Sequence, residues 1–392
     1  VLVDGRSVSA TGAVSVRSLT VTGAAKVTFK AAGFDGASTE ANLYANATTV
    51  RVAEVLAIDG TSVVTAENDP VTGAAVRFDC GSFRLGAKAK LTASEKGWFW
   101  YAGTDDPNRR FTQGTAWQTR AMGPGNSYTQ GGGYGADGGS ASGGYCKAYG
   151  FAYAPFLPGS PNGLYEGKID RGNRPGGTVW VKCGGLCELY GTVSADGNPS
   201  GRSIYGAASG GGVWIAAKGV KAAGTTSVTA IGGYLSGSYG SYGAGGRISL
   251  ALGCTDAQLD ALARGETPEG LSFVDGIDLF AASVRGGERS SVTPSYGKAG
   301  TLTTVTGPEA WTNVKIGGSP VSALGVEPTN GTEAYEPGSE QTFTAPEYGA
   351  DPDDQQVRYP CAGYTVTDAS GAVVKSGVGR TVEIEIANGP LT

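Results

Sequence analysis

GGTVWV (176–181), GGGVWI (210–215) and GGRISL (245–250) are three versions of one pattern: glycine, a second glycine, then apolar residues at every other position. They begin at Gly176, Gly210 and Gly245, a spacing of about 35 residues, and a fourth version, GAAVRF, begins at Gly73. A period of two places alternate side chains on one face of a strand. The inward set is then Val76, Phe78 and Cys80; Val179, Val181 and Cys183; Val213, Ile215 and Ala217; and Ile248, Leu250 and Leu252. Strands repeated at a fixed period stack into apolar ladders, which is how a solenoid builds a core that no single repeat could close. A second strand ending in glycine follows three of them: LTASEKG from Leu91, VSADG from Val193 and VTAIG from Val228. Two strands per repeat predict an all-β fold, a right-handed parallel β-helix. SLTVTG, KVTFKAAG and TTVRVAEVLAIDG extend it towards the N-terminus.

Working outward, the helix-like solenoid is expected over 1–317. It is interrupted by a long excursion at about 98–175, containing QGGGYGADGGSASGGYCKAYGFAYAPFLPGSPNG. Its Gly, Tyr, Ser and Pro content reads as a surface loop, and structureless loops of this length tend to be functional. One short α-helix is predicted at about 256–264 in CTDAQLDALARG, where Thr255 and Gln258 form a capping box and Gly265 stands at the C-terminal cap. From 318 to 392 the pattern changes to alternating strands, EQTFTAPEY, GYTVTDASGAVVKSG and TVEIEIANG, with a hairpin turn at Asp368–Gly371. This predicts a small immunoglobulin-like β-sandwich lacking the Cys–Trp–Cys pattern, either a processed fragment missing its last strand or a sandwich whose last strand comes from elsewhere.

Glycine is 67 of 392 residues, yet 40% of residues are hydrophobic, so glycine punctuates short strands rather than forming a disordered linker. The net charge of −5 is scattered, with no basic stripe for nucleic acid. No apolar run approaches the roughly 20 residues that span a bilayer. A start at Val1 fits removal of a signal peptide or a preceding domain. Six cysteines, an even number, suit disulfides in a secreted chain, with buried free thiols the alternative. The absence of histidine removes the commonest catalytic base and metal ligand.

The succession GGTVWV, GTVSADG, APFLPGS, GGGVWI and GGRISL resembles Gly-rich β-helical repeat regions of large secreted, autotransporter-like bacterial surface proteins. The resemblance covers about 73–317; the segment from about Val321 resembles small immunoglobulin-like repeats of the same proteins. It implies an extracellular, cell-surface location and no defined enzyme activity.

Parallel β-helices also host polysaccharide lyases and hydrolases, which need opposed carboxylates. Asp105, Asp106, Asp137, Glu166, Asp170 and Asp196 do not form a set that can be placed on one strand face, and no catalytic residue is assigned. Cys183-Gly-Gly-Leu-Cys187 lacks the second pair that zinc needs. Calcium at Asp351–Asp354 or Asp105–Asp106 competes with ordinary solvated acidic turns, so no metal or cofactor is expected. Cys80 and Cys183 occupy equivalent inward positions of strands that are neighbours if the excursion lies between them, a spacing that suits a disulfide or a reduced core ladder. Cys146 with Cys187 would tie the excursion to the solenoid. Trp180 and Trp214 share one outward position, with Arg77 before them, and read as a sugar-binding platform or as a floor for the excursion. Tyr128, Tyr134, Tyr145, Tyr149 and Tyr153 suit contact with a partner, or a loop folded on itself. The expectation is therefore a non-enzymatic structural or adhesive surface protein, partnered by copies of itself, other surface proteins or glycans. Two alternatives stand beside it: a carbohydrate-binding module using Trp180, Trp214, Tyr134, Tyr145 and Tyr149, and a β-helical polysaccharide lyase or hydrolase using Asp or Glu.

Overall fold

The computed structural model describes residues 1–98, 122, 130–139, 146–162, 174–198, 206–234, 241–287, 297–317, 331–350, 356–368, 370–387 and 391. Strand is the main regular structure of the described residues, and most strands pair in parallel. Two sheets dominate. The first runs, in spatial order, through Leu2–Asp4, Leu19–Thr22, Thr48–Ile58, Val76–Leu85, Thr178–Cys183, Gly212–Ala217, Arg247–Leu252 and Thr301–Thr306, closed by antiparallel Ser272–Asp275. The second runs through Ser7–Thr11, Lys26–Lys30, Val63–Glu67, Lys90–Thr92, Thr192–Ser194, Ser227–Thr229 and Ala281–Ser283, all parallel. The chain alternates between them: Thr178–Cys183 of the first is followed by Thr192–Ser194 of the second, then Gly212–Ala217, then Ser227–Thr229.

The core lies between the sheets. Val50, Phe78, Val181, Ile215 and Leu250 are successive register partners. All twelve inward residues expected from the repeat fall in one buried cluster, each large aliphatic or aromatic side chain contributing about 1.5–3 kcal/mol on burial. The paired glycines have a separate cause. Where the chain returns from the second sheet, the Gly211 and Gly246 amides donate to Ala195 O and Ala230 O, both at 2.7 Å. A Cβ on Gly211 would lie 1.9 Å from Gly177 O, and one on Gly246 2.0 Å from Gly211 O. The corner excludes any side chain.

The described parts of the excursion correct the surface-loop reading. Residues 130–135 and 154–162 are buried although they form no regular strand or helix. Glycine lets bare backbones touch: Gly132 N donates to Ala207 O at 3.0 Å, Gly135 N to Gly245 O at 3.1 Å, and Gly159 N to Gly176 O at 2.9 Å. Beside this layer, residues 149–156 cross the outer face of the first sheet. Their carbonyls accept from the sheet's outward side chains: Tyr149 O from Arg247, Ala152 O from Thr303 Oγ1, Tyr153 O from Ser249 Oγ and Phe156 O from Thr178 Oγ1.

The expected helix is present at Asp256–Ala263, with both capping-box bonds made, and Gly265 follows it at φ +77°. A second helix, Glu40–Ala45, capped by Thr39, was not foreseen; it is too short to display a period. Both pack on the outer face of the first sheet, joined by a 2.5 Å bond from Tyr44 to Asp260. No described helix is long and apolar enough to cross a membrane.

Towards the C-terminus the pairing becomes antiparallel: Thr312–Ile316 with Gly331–Tyr335, Glu340–Thr344 with Thr381–Glu385, Tyr348–Ala350 with Arg358–Pro360, and Gly363–Thr367 with Val373–Val378. A separate small core holds Val314, Phe343, Val382, Ile386 and Leu391.

Candidate functional surface

The outer faces of the two sheets differ in kind. On the first, the outward column Arg77, Trp180, Trp214, Ser249, Thr303 is covered, and Trp180, Trp214, Ser249 and Thr303 are all buried. On the second, the outward residues keep access to solvent. Ser9, Thr28, Thr65, Thr92, Ser194, Thr229 and Ser283 are successive register partners across its seven strands. Ser9 is exposed and the other six are partly exposed. Adjacent parallel strands lie about 4.8 Å apart, so each strand contributes one hydroxyl-bearing residue at that backbone interval. The origin of this rank is a dipeptide: an apolar residue facing the core, then Ser or Thr facing out, as in Val27-Thr28, Val64-Thr65, Leu91-Thr92, Val193-Ser194 and Val228-Thr229.

Part of the rank is held in place by its own hydrogen bonds. Thr92 Oγ1 and Ser194 Oγ lie 2.8 Å apart, and Ser94 Oγ donates to Ser194 Oγ at 3.0 Å. Thr229 Oγ1 donates to Asp196 Oδ2 at 2.9 Å, while Asp196 Oδ1 accepts from Ile231 N at 2.7 Å. Burial raises the Asp196 carboxyl above the ordinary aspartate value, against these bonds and the Arg285 cation. Along one flank, Glu67 pairs with Lys30 and Lys96, each at 3.9 Å. The rank itself carries no charge. Each hydroxyl can donate once and accept twice, which suits a polar, neutral, repetitive partner. The repeats LTAS, VSAD and VTAI do carry the signal for this rank: Thr92, Ser194 and Thr229 each directly follow the apolar residue that opens the segment.

The expected aromatic ligand site is corrected. Trp180 and Trp214 stack on each other at 5.2 Å, with Phe156 of the excursion 5.8 and 6.3 Å away and Tyr44 stacked on Trp180 at 5.2 Å. Tyr134 is fully buried, and Tyr149, partly buried, packs on it at 4.9 Å. These rings fill the space between sheet and excursion and offer no face to a sugar; Tyr145 and Tyr128 lie outside the described residues. Arg247, also buried there, is held by Tyr149 O and by Thr301 Oγ1 at 3.1 Å, above the Tyr134 ring.

None of the six cysteines is in a disulfide. Cys80 and Cys183 are register partners, as the repeat implied. Cys146 and Cys187 are not neighbours, which corrects that pairing: Cys187 belongs to the core between the sheets, opposite Phe83 and Val220, whereas Cys146 Sγ contacts Gln130 Oε1 within the excursion at 3.8 Å. Asp137 accepts from Ala148 N and faces Lys147 and Lys298, on a different element from Asp196. Asp105, Asp106, Glu166, Asp170 and Asp351–Asp354 lie outside the described residues. Among the described residues no three His, Cys, Asp or Glu side chains converge as a metal site.

No protein-family model, curated protein or solved structure matches this chain.

Proposed function

We propose that this chain is a non-enzymatic, extracellular surface protein: a parallel β-helix carrying an immunoglobulin-like module, which adheres through its hydroxyl rank to a polysaccharide. The observation that carries the reading is the unbroken register of Ser9, Thr28, Thr65, Thr92, Ser194, Thr229 and Ser283 on the accessible face of the second sheet. A polymer whose own hydroxyls repeat at fixed intervals can meet many of these groups at once, and weak contacts then add through multivalency. The alternation of the chain between two parallel sheets supports the β-helix, and the resemblance to bacterial surface repeats supports the location. The test is co-sedimentation with insoluble polysaccharides (cellulose, chitin, peptidoglycan) at low and high salt. Binding that is insensitive to salt and falls by about tenfold or more in the Thr28→Val, Thr65→Val, Thr92→Val triple variant is expected. Equal binding by the triple variant, or retention by none of the polymers, would remove the proposal.

Self-assembly is a second reading, favoured by Val373–Val378. All six residues of that strand are exposed, Val378 by 92%, and it pairs with Gly363–Thr367. An exposed apolar edge is a template for strand addition by another copy. Light scattering of the unreduced protein over a concentration series separates the two readings.

A further inference from the structure

Cys80, on Val76–Leu85, and Cys183, on Thr178–Cys183, stand directly opposite one another in neighbouring parallel strands. Their Cα atoms are therefore about 4.8 Å apart, inside the range of about 4.4–6.8 Å that a disulfide spans without backbone movement. Both side chains face the core between the sheets and both are nearly buried, so the two Cβ vectors point the same way. The sulfurs share one small neighbourhood: Cys80 Sγ lies 3.7 Å from Lys182 O, and Cys183 Sγ lies 3.5 Å from Gly81 O and 3.1 Å from Leu186 O. The partner strand on Cys187 is occupied by Phe83 on one side and Val220 on the other, so register offers Cys187 no cysteine.

We infer that Cys80 and Cys183 form an oxidisable dithiol whose disulfide pins together the two strands between which the whole excursion leaves and returns. The reaction with a small disulfide oxidant such as oxidised glutathione balances in two exchanges. The Cys183 thiolate attacks the oxidant's S–S bond, forming a mixed disulfide and releasing one glutathione thiol. Cys80, after losing its proton to solvent, attacks the Cys183 sulfur, forming the Cys80–Cys183 bond and releasing the second glutathione thiol. Cys183 suits the attacking role. A hydrogen bond from the Cys80 thiol, aided by the Gly185 and Phe83 amides, holds its thiol below the ordinary cysteine value. The exposed Gly184 beside it leaves an approach for a small oxidant. Cys80 is raised, first by that same hydrogen bond and then by burial, so it reacts second. The bond closes a loop of about a hundred residues, the regime in which a cross-link most constrains the unfolded chain. This inference is independent of the adhesive role.

The experiment is peptide mapping of the folded protein after incubation with oxidised glutathione, quenching with N-ethylmaleimide and non-reducing tryptic digestion. Cleavage at Arg77, Arg84, Lys182 and Arg202 isolates Cys80 in peptide 78–84 and leaves Cys183 and Cys187 together in peptide 183–202. The expected product is 78–84 cross-linked to 183–202, with Cys187 carrying maleimide and the unfolding midpoint raised by roughly 5 °C or more over the reduced protein. Cys187→Ala keeps the cross-link; Cys80→Ala abolishes it. Peptide 183–202 recovered uncross-linked, whether doubly alkylated or closed internally between Cys183 and Cys187, would overturn the assignment.

Discussion

At the scale of single residues, burial decides what each polar group can do. Cys254, shut in by its surroundings, has its thiol pushed up to about 11 and is poorly nucleophilic at neutral pH. Asp196 is the informative acid. Its two oxygens are occupied by Ile231 N and Thr229 Oγ1, yet desolvation dominates and its pKa is raised. In the window between the ordinary aspartate value and that raised value, the folded state binds more protons than the unfolded state. Stability is therefore greatest below the window and declines as pH rises through it. Asp196→Asn can keep both hydrogen bonds, with Oδ1 accepting from Ile231 N and the amide donating to Thr229. The denaturation midpoint of the wild type should thus fall relative to Asp196→Asn on going from acid to neutral pH. A difference that stays constant with pH would show that Asp196 titrates normally.

Strands and corners obey two different rules. Within strands, period-two alternation puts one set of side chains in the core, and this rule was legible: Val76 to Leu252 fall where the repeats place them. At the corners, backbone touches backbone, and the requirement is for no side chain at all. Gly246→Ala would place a Cβ 2.0 Å from Gly211 O, a fixed main-chain atom. We expect a loss of about 3 kcal/mol in a urea titration, at the upper end for overpacking. A loss below about 1 kcal/mol would mean that the corner opens readily. The excursion follows the corner rule. Its glycines looked like loop punctuation because periodicity carries no signal where backbones pack without alternation.

Across the whole molecule, the antiparallel C-terminal strands are attached to the parallel sheets by a polar contact. Lys221 Nζ lies 2.7 Å from Glu333 Oε1, and the Glu333 side chain is almost fully buried. Beside it, Trp311 closes over Gly219, and Lys218 reaches Glu309 at 3.4 Å. Removing one member of a buried pair strands the other charge, at a cost of about 3 kcal/mol. Lys221→Met should therefore separate a C-terminal unfolding transition from the main one in calorimetry, and adding Glu333→Gln should restore part of the loss. A single unshifted transition in Lys221→Met would show that the apolar contact through Trp311 suffices.

The strand repeat, its inward residues, the capped helix at Asp256–Ala263 and the juxtaposition of Cys80 with Cys183 were all legible in the chain alone. All of these follow from local periodicity and spacing, which the backbone translates directly into facing. Which outer face is covered depends on packing between segments distant in sequence. Trp180 and Trp214 are outward by the same alternation as Thr92 and Thr229, and nothing local distinguishes a covered face from an accessible one. The difference arises because residues 149–156 and the helices Glu40–Ala45 and Asp256–Ala263 fold across the first sheet, desolvating its indoles, and leave the second sheet's hydroxyls in partial contact with solvent. That choice turned the aromatics into core and a run of ordinary threonines and serines into the candidate surface.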